Sequence, residues 1–392
     1  MEPTADTVHV LETAIRPSSV MVRGAGDELF DAAGTRYLDF VQGWAVNALG
    51  HAPSVVAEAL TRQAEQLVHS SAGYFNAPQL ALCRTLAQAS GLERVFLCAT
   101  GAEANESAIK LARKWGQRER GGAWEIITTA DGFHGRTLAT MSASGKATFA
   151  PLFEPKVQGF RKVPFGDAEA VADAIDERVV AVLVEPIQGE AGVVVPPEGY
   201  LRQLRELCSE RGVLLMLDEI QTGVGRTGTL FAHQREDARP DVMTLGKGIG
   251  AGVPLAAMLC DARYACFEPG DQGGTYAGNA LTAAVGQAVM ETVMAPGFLA
   301  HVEAMSARLR SALETLVGRG LLRSVRGAGL LMATELPQAS AAEVVRLAHA
   351  EGLLLNAPRP NLLRFMPALN VRPESIDELA ERLPRLLEAA AG

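Results

Sequence analysis

Two short apolar runs, each ending on a side chain that carries chemistry, restrict this chain more than any other feature. Val213-Leu214-Leu215-Met216-Leu217 is apolar at both parities, which predicts a strand buried on both faces at the centre of a helix-covered sheet. Such a strand delivers its next residue, Asp218, to the carboxyl edge of the sheet, where open α/β folds bind ligands. A second run, Val242-Met243-Thr244-Leu245, is followed by Gly246-Lys247-Gly248. An amine therefore emerges at the same edge between two residues with no side chain to crowd it.

Taken singly, a lysine in a glycine loop and an acid after a strand are ordinary features. Together on neighbouring strand ends they fit a pyridoxal phosphate site, in which the lysine forms a Schiff base and the carboxylate keeps the pyridine nitrogen protonated. A nucleotide-binding P-loop also presents a glycine-flanked lysine, but it requires Gly at position 241 and Ser or Thr at 248. Asp241 and Gly248 exclude it.

Further strands are predicted at Arg94–Cys98, Trp124–Ile127, Val179–Val184 and Leu255–Leu259, with helical segments between several of them. That alternation predicts a mainly parallel sheet covered on both faces. After the first of these strands, Ala99-Thr100-Gly101-Ala102 opens a helix whose Ala104, Ala108, Leu111 and Ala112 share a face. A strand, a glycine turn and a helix start suit a phosphate, because the first-turn N–H groups are unpaired. An ordinary strand-to-helix turn accounts for the same residues equally well.

Turn signals between residues 17 and 40 predict a small antiparallel meander, followed by helices from Ser54 to about Val68 and from Pro78. The pattern is helical from about Ala280 to Leu316, and 325–392 predicts a compact α+β unit with helices at Ala341–Glu351 and Pro373–Ala390. The division this gives is an N-terminal segment 1–50, a large domain 51–285 and a smaller C-terminal domain 286–392 that begins with a linking helix, 286–320.

A chain of 392 residues can bury a large core. Its net charge is −9, and no Lys/Arg cluster is interleaved with aromatics, which argues against nucleic acid as a partner. Met1–Glu12 carries Glu2, Asp6 and Glu12 with no apolar stretch, and no run approaches the ~20 residues of a membrane span. A cytoplasmic protein is expected. Five scattered cysteines without a CxxC suit buried thiols, and the histidines form no HExxH, so no metal is expected.

An ordered set of motifs then carries a family resemblance: AVNALGH (45–51), TGAEANESAIKLARKWG (100–116), FHGRTLATMSASG (133–145), EPIQGEAG (185–192), LDEIQTGVGRTG (217–228), TLGKGIGAGVPLAA (244–257), GGTYAGN (273–279) and LLRFMPALN (362–370). From about Tyr37 to Leu387 the chain resembles the class III, subgroup II aminotransferases of pyridoxal-phosphate fold type I, and among them the acetylornithine aminotransferases.

The resemblance implies that Lys247 bonds to the cofactor and Asp218 pairs with its pyridine nitrogen. It implies Ile220 and Phe133 on the two ring faces, Gln221 on the phenolic oxygen, and the N–H groups of Gly101 and Ala102 on the phosphate. Thr275 would reach the phosphate of a neighbouring subunit's cofactor, which implies a homodimer with shared sites. Arg136 would bind one substrate carboxylate and Arg364 a second, with Glu190 as its partner.

Gly274 stands where acetylornithine enzymes commonly carry a serine that contributes to substrate binding, and Gly43 stands where ornithine aminotransferases carry a tyrosine. The implied reaction moves the terminal amino group of N2-acetyl-L-ornithine to 2-oxoglutarate in arginine biosynthesis. Alternatives within the resemblance are 4-aminobutyrate, ornithine, succinylornithine or a diamine as donor, and more remotely a racemase or decarboxylase of the same fold. A non-catalytic regulator that retains the pocket is the alternative outside enzymes.

Overall fold

The computed structural model describes residues 9–338 and 340–391. Glu2 and Asp6, and with them the start of segment 1–50, lie outside the described residues. The predicted meander is present as β1 (Met21–Ala25), β2 (Glu28–Asp31) and β3 (Arg36–Asp39), all antiparallel. After helices at Ser54–Ala64 and Ala77–Ser90, the central sheet is built from seven strands. These are β4 (Arg94–Cys98), β5 (Glu125–Thr129), β6 (Phe160–Val163), β7 (Val179–Val184), β8 (Leu214–Asp218), β9 (Val242–Leu245) and β10 (Ala256–Cys260).

Their order is β4-β10-β9-β8-β7-β5-β6. Strands β5 to β9 pair in parallel, while β10 runs antiparallel to both β4 and β9. Alternation along β8 explains why its apolar run is continuous. Leu214 and Met216 pack on the helix Gly101–Glu119 side with Ala108, Ile109 and Leu111, whereas Leu215 and Leu217 pack on the other face with Leu201 and Leu204 of the helix Tyr200–Arg211. Burying each such leucine contributes about 1.5–3 kcal/mol, so a polar residue at either parity would break the layer.

Strand β6 is absent from the sequence expectation for a physical reason. Phe160-Arg161-Lys162-Val163 lies at the sheet's edge, where charged residues are tolerated and no apolar run is required. The helical tract from Ala280 is two helices, Ala280–Val293 and Phe298–Gly318, bent by 71° across Pro296 and Gly297. Gly297 at φ +86° makes the corner. Among the described residues, no single helix is long and apolar enough to cross a membrane.

The C-terminal part adds β11 (Ser324–Ala328), β12 (Leu331–Glu335), β13 (Leu353–Leu354), β14 (Asn356–Arg359) and β15 (Leu362–Phe365), with helices at Ala341–Ala350 and Pro373–Ala391. The order β11-β12-β15-β14 forms a small antiparallel sheet, and β13 joins the meander beside β3. The backbone of Met366 donates to Phe40 O and that of Leu369 to Ala48 O, so the chain just beyond β15 is tied to the N-terminal region. This brings Arg364 of β15 toward the carboxyl edge of the central sheet.

Candidate active site

Asp218 closes β8 and in the parallel register lies beside Thr244 of β9, just ahead of Lys247. The acid is buried, and its Oδ2 accepts from Asn105 Nδ2 and from His134 Nδ1, both at 2.8 Å. Oδ1 accepts the Ile220 backbone N–H at 3.1 Å. Thr244 Oγ1 donates to Asn105 Oδ1, which fixes the orientation of that amide. Three donors therefore converge on this one buried carboxylate and fix its orientation.

Lys247 sits at φ +44°, a left-handed conformation that costs an L-residue roughly 1–2 kcal/mol and aims its side chain out of the strand direction. It shares a cavity of about 180 Å³ with Asp218. Burial depresses the amine below the usual lysine range, against Glu190 and Asp218, which pull it up. Ile220 forms one wall, wedged against glycine backbone: a Cβ at Gly101 would come within 2.8 Å of it and one at Gly246 within 3.1 Å. Phe133 forms the opposite wall, its ring 6.1 Å from that of Phe149. Gln221 also lines the cavity and donates to Trp44 O at 3.3 Å.

Gly101 and Ala102 line the far end as the first residues of the helix Gly101–Glu119. Thr100 is its N-cap, and a capping box with Glu103 uses the third N–H, while the first N–H groups have no intrahelical partner. The cavity thus brings together apolar walls from Ile220 and Phe133, a buried acid, a buried amine and the N-terminus of a helix. A planar aromatic bearing a phosphate and a carbonyl fits that donor set.

Arg364 is 1% exposed and makes an ion pair with Glu190 at 2.8 Å, while donating to Gly189 O at 2.8 Å and Asn356 Oδ1 at 2.9 Å. Burial pushes the Glu190 carboxyl up, but Arg364 and Lys247 together pull harder and hold it below the usual range. A Cβ at Gly189 would fall 1.6 Å from Gln221 Oε1, so any larger residue there would displace the Gln221 side chain from the site.

The remaining expected residues lie elsewhere. Arg136 is exposed beside the site, its guanidinium 5.7 Å from the Phe149 ring centre. Thr275 and Gly274 are exposed on a loop and do not line the cavity of their own chain. A Cβ at Gly274 would meet only Ala277 at 3.8 Å, so neither space nor backbone demands a glycine there. A larger cavity of about 420 Å³ is set near the starts of β8 and β9. Its Arg205 pairs with Asp241 and its Arg239 and Arg263 with Asp261, and it is far from the lysine.

Sequence reasoning assigned no part to Asn105, His134 or Glu185, although all three lie in the quoted motifs. Glu185 follows β7 and is buried. It accepts the Phe133 N–H at 2.9 Å and the Gly189 N–H at 3.2 Å. Burial pushes its carboxyl up to about 7, with the Asp218 charge adding to the rise and His134 opposing it. A polar residue directly after an all-apolar strand was the available signal, the same one that marked Asp218.

With this geometry in hand, the relatives are informative. The family model for class-III aminotransferases matches residues 12–387. The chain is 51% identical over 383 residues to acetylornithine aminotransferase 2 of Bordetella bronchiseptica, covering 97% of each. It is 50% identical to the acetylornithine aminotransferase of Ralstonia nicotianae, covering 95% of this chain and 96% of that one. Among solved structures, N-acetylornithine aminotransferase from Stenotrophomonas maltophilia superposes with a TM-score of 0.84 at 37% identity, covering 95% and 96% of the two chains. The ornithine aminotransferase of Toxoplasma gondii superposes at 0.94 with 34% identity, covering 98% and 94%. By motif order, fold and site chemistry alike, this chain belongs to the class-III aminotransferases, and it is a pyridoxal-phosphate-dependent transaminase of fold type I.

Proposed function

We propose that the enzyme moves the terminal amino group of N2-acetyl-L-ornithine to 2-oxoglutarate, giving N-acetyl-L-glutamate 5-semialdehyde and L-glutamate, as a step of arginine biosynthesis. The observation that carries this is the ion pair between buried Arg364 and partly buried Glu190 beside Lys247. A site that serves an ω-amine donor and a dicarboxylate acceptor needs a cation that can be neutral-paired for one substrate and free for the other. The names of the relatives at 50–51% identity support the same donor.

When bound, pyridoxal phosphate supplies the electron sink for proton loss at the amine-bearing carbon. The chain's own residues do the rest. Lys247, with its lowered proton affinity, would hold the cofactor's carbonyl end and is placed to carry a proton to and from the reacting carbon. Asp218, held by Asn105 and His134, keeps a proton on the ring nitrogen. Ile220 and Phe133 would hold the ring between them, Gln221 would serve its phenolic oxygen, and the N–H groups of Gly101 and Ala102 would hold the phosphate. Arg136 takes the substrate's far carboxylate. Arg364 takes the near carboxylate of 2-oxoglutarate after Glu190 has swung away.

Exposure of Thr275 and Gly274 supports a homodimer in which Thr275 reaches the partner's cofactor phosphate and Gly274 borders its substrate. The same reading divides the chain at 1–50, 51–285 and 286–392 and puts the enzyme in the cytoplasm. Ornithine is the second donor to consider, because ornithine aminotransferases superpose well. Gly43, at φ +62°, offers no side chain to a free α-ammonium, and burying that charge uncompensated is costly. Comparing kcat/KM for N2-acetylornithine, ornithine and 4-aminobutyrate decides the matter. Ornithine used as efficiently as its acetylated form would overturn the assignment.

A further inference from the structure

One buried carboxyl in the cavity is left without a part in the reaction just described. Glu185 stands at the end of β7, and its two oxygens accept from two different loops. Oε2 takes the N–H of Phe133, on the loop after β5, and Oε1 takes the N–H of Gly189. Each loop carries residues of the site. Phe133 walls the ring slot, and its neighbour His134 holds Asp218. Gly189 offers its carbonyl to Arg364 and precedes Glu190.

The geometry points to Glu185 as a positioning residue that fastens the ring-covering loop to the loop of the Glu190–Arg364 pair, so that cofactor seating and the acceptor switch move as one piece. This rests on the function proposed above. The bridge uses both oxygens as acceptors, and the anion provides two equally strong ones. A glutamine keeps one acceptor and turns a donor toward the other N–H, and a protonated acid leaves only a weaker hydroxyl acceptor there. The charged groups facing Glu185 are His134 from the loop after β5, Asp218 from β8 and Lys247 from the turn after β9. Asp218 and burial oppose its ionisation while His134 assists it, so the bridge forms and fails near neutral pH.

Glu185→Gln in the full-length protein is the test, read first by hydrogen exchange with and without bound cofactor. Loss of one charge-assisted bond should speed exchange by roughly tenfold in segments 131–137 and 186–193 together. Loosening of one segment alone, or of neither, overturns the bridge. The second readout is the pH profile of kcat/KM. In the unaltered enzyme it should fall on the acid side of neutrality as Glu185 gains a proton. Glu185→Gln should flatten that limb, and Glu185→Asp, which keeps the charge on a shorter arm, should retain it. A limb that persists unchanged in the glutamine variant overturns the proposal. If the unaltered enzyme moved no amino group at all, the proposed function would fall, while the exchange measurement would still decide the bridge.

Discussion

Replacing Glu190 with alanine removes the only carboxylate paired with Arg364 among the described residues and leaves that guanidinium with three neutral acceptors, Gly189 O, Asn356 Oδ1 and, at 3.5 Å, Gln221 Oε1. Arg364 is 1% exposed, so water cannot solvate it in place. Truncating one partner of a buried charge pair costs about 2–5 kcal/mol. The Glu190 side chain is itself 25% exposed, which argues for the low end of that range. About 2 kcal/mol corresponds to roughly 30-fold in rate. The loss should fall on the N2-acetylornithine half-reaction, where no substrate carboxylate reaches Arg364. With glutamate as donor the substrate's own α-carboxylate fills the vacancy, and the rate should change little or rise. Single-turnover absorbance changes of the bound cofactor, measured with each donor, give the two rates separately. Equal losses in both half-reactions would refute the switch.

Lys247→Ala should abolish turnover and the absorbance of lysine-bound cofactor while phosphate-end binding survives; retained turnover rejects the central assignment. Asp218→Asn should leave the circular dichroism spectrum intact and slow proton transfer by about 10²–10⁴-fold, because a neutral amide cannot hold a charged ring nitrogen. Wild-type rates would remove that role. Mixing Lys247→Ala with Thr275→Val subunits should restore activity in about a quarter of the pockets if each site borrows Thr275 from its partner; hybrid dimers with no recovery contradict sharing. For Glu185, whose proton affinity is raised from 4.5 to about 7 on folding, the native state binds the extra proton between those values. Stability from this group is therefore complete below pH 4.5 and lost as pH rises toward 7. The Tm of the cofactor-free protein should fall across that window relative to Glu185→Gln, and parallel curves would exclude the shift.

What the sequence made legible follows from how each feature is encoded. Strands β7 and β8 need apolar residues at both parities and β9 is apolar except at Thr244, so they appear as short apolar runs, and Asp218 and Lys247 stand out at or just beyond the ends of two of them. Edge strand β6 has no such requirement and leaves no run. The partners of Asp218 were hidden because Asn105 is 113 residues away and His134 84 residues away, and a single polar letter does not reveal which distant atom it meets. Glu185 was hidden similarly, since both its partners are backbone N–H groups, to which any side chain can be attached.

Three carboxylates around one lysine suggest why the acceptor switch uses Glu190 and not a loop closing over Arg364. The Lys247 amine is depressed by burial and by the Arg364 charge, and it is drawn back by Glu190, Asp218 and Glu185, with Glu190 the strongest of these acids. If Glu190 left and nothing replaced it, the amine would lose its main anionic neighbour just when it must carry a proton. Because the proposed displacement is by a substrate carboxylate arriving at the same guanidinium, the charge near Lys247 is the same in both half-reactions. One lysine can then serve two dissimilar substrates at one pH. Glu190→Gln tests this, since it keeps the shape and removes the charge. The rate of the N2-acetylornithine half-reaction should shift its pH optimum downward as Lys247 loses proton affinity, while the glutamate half-reaction should keep its own. Optima that move together, or not at all, would show that Lys247 does not sense the exchange.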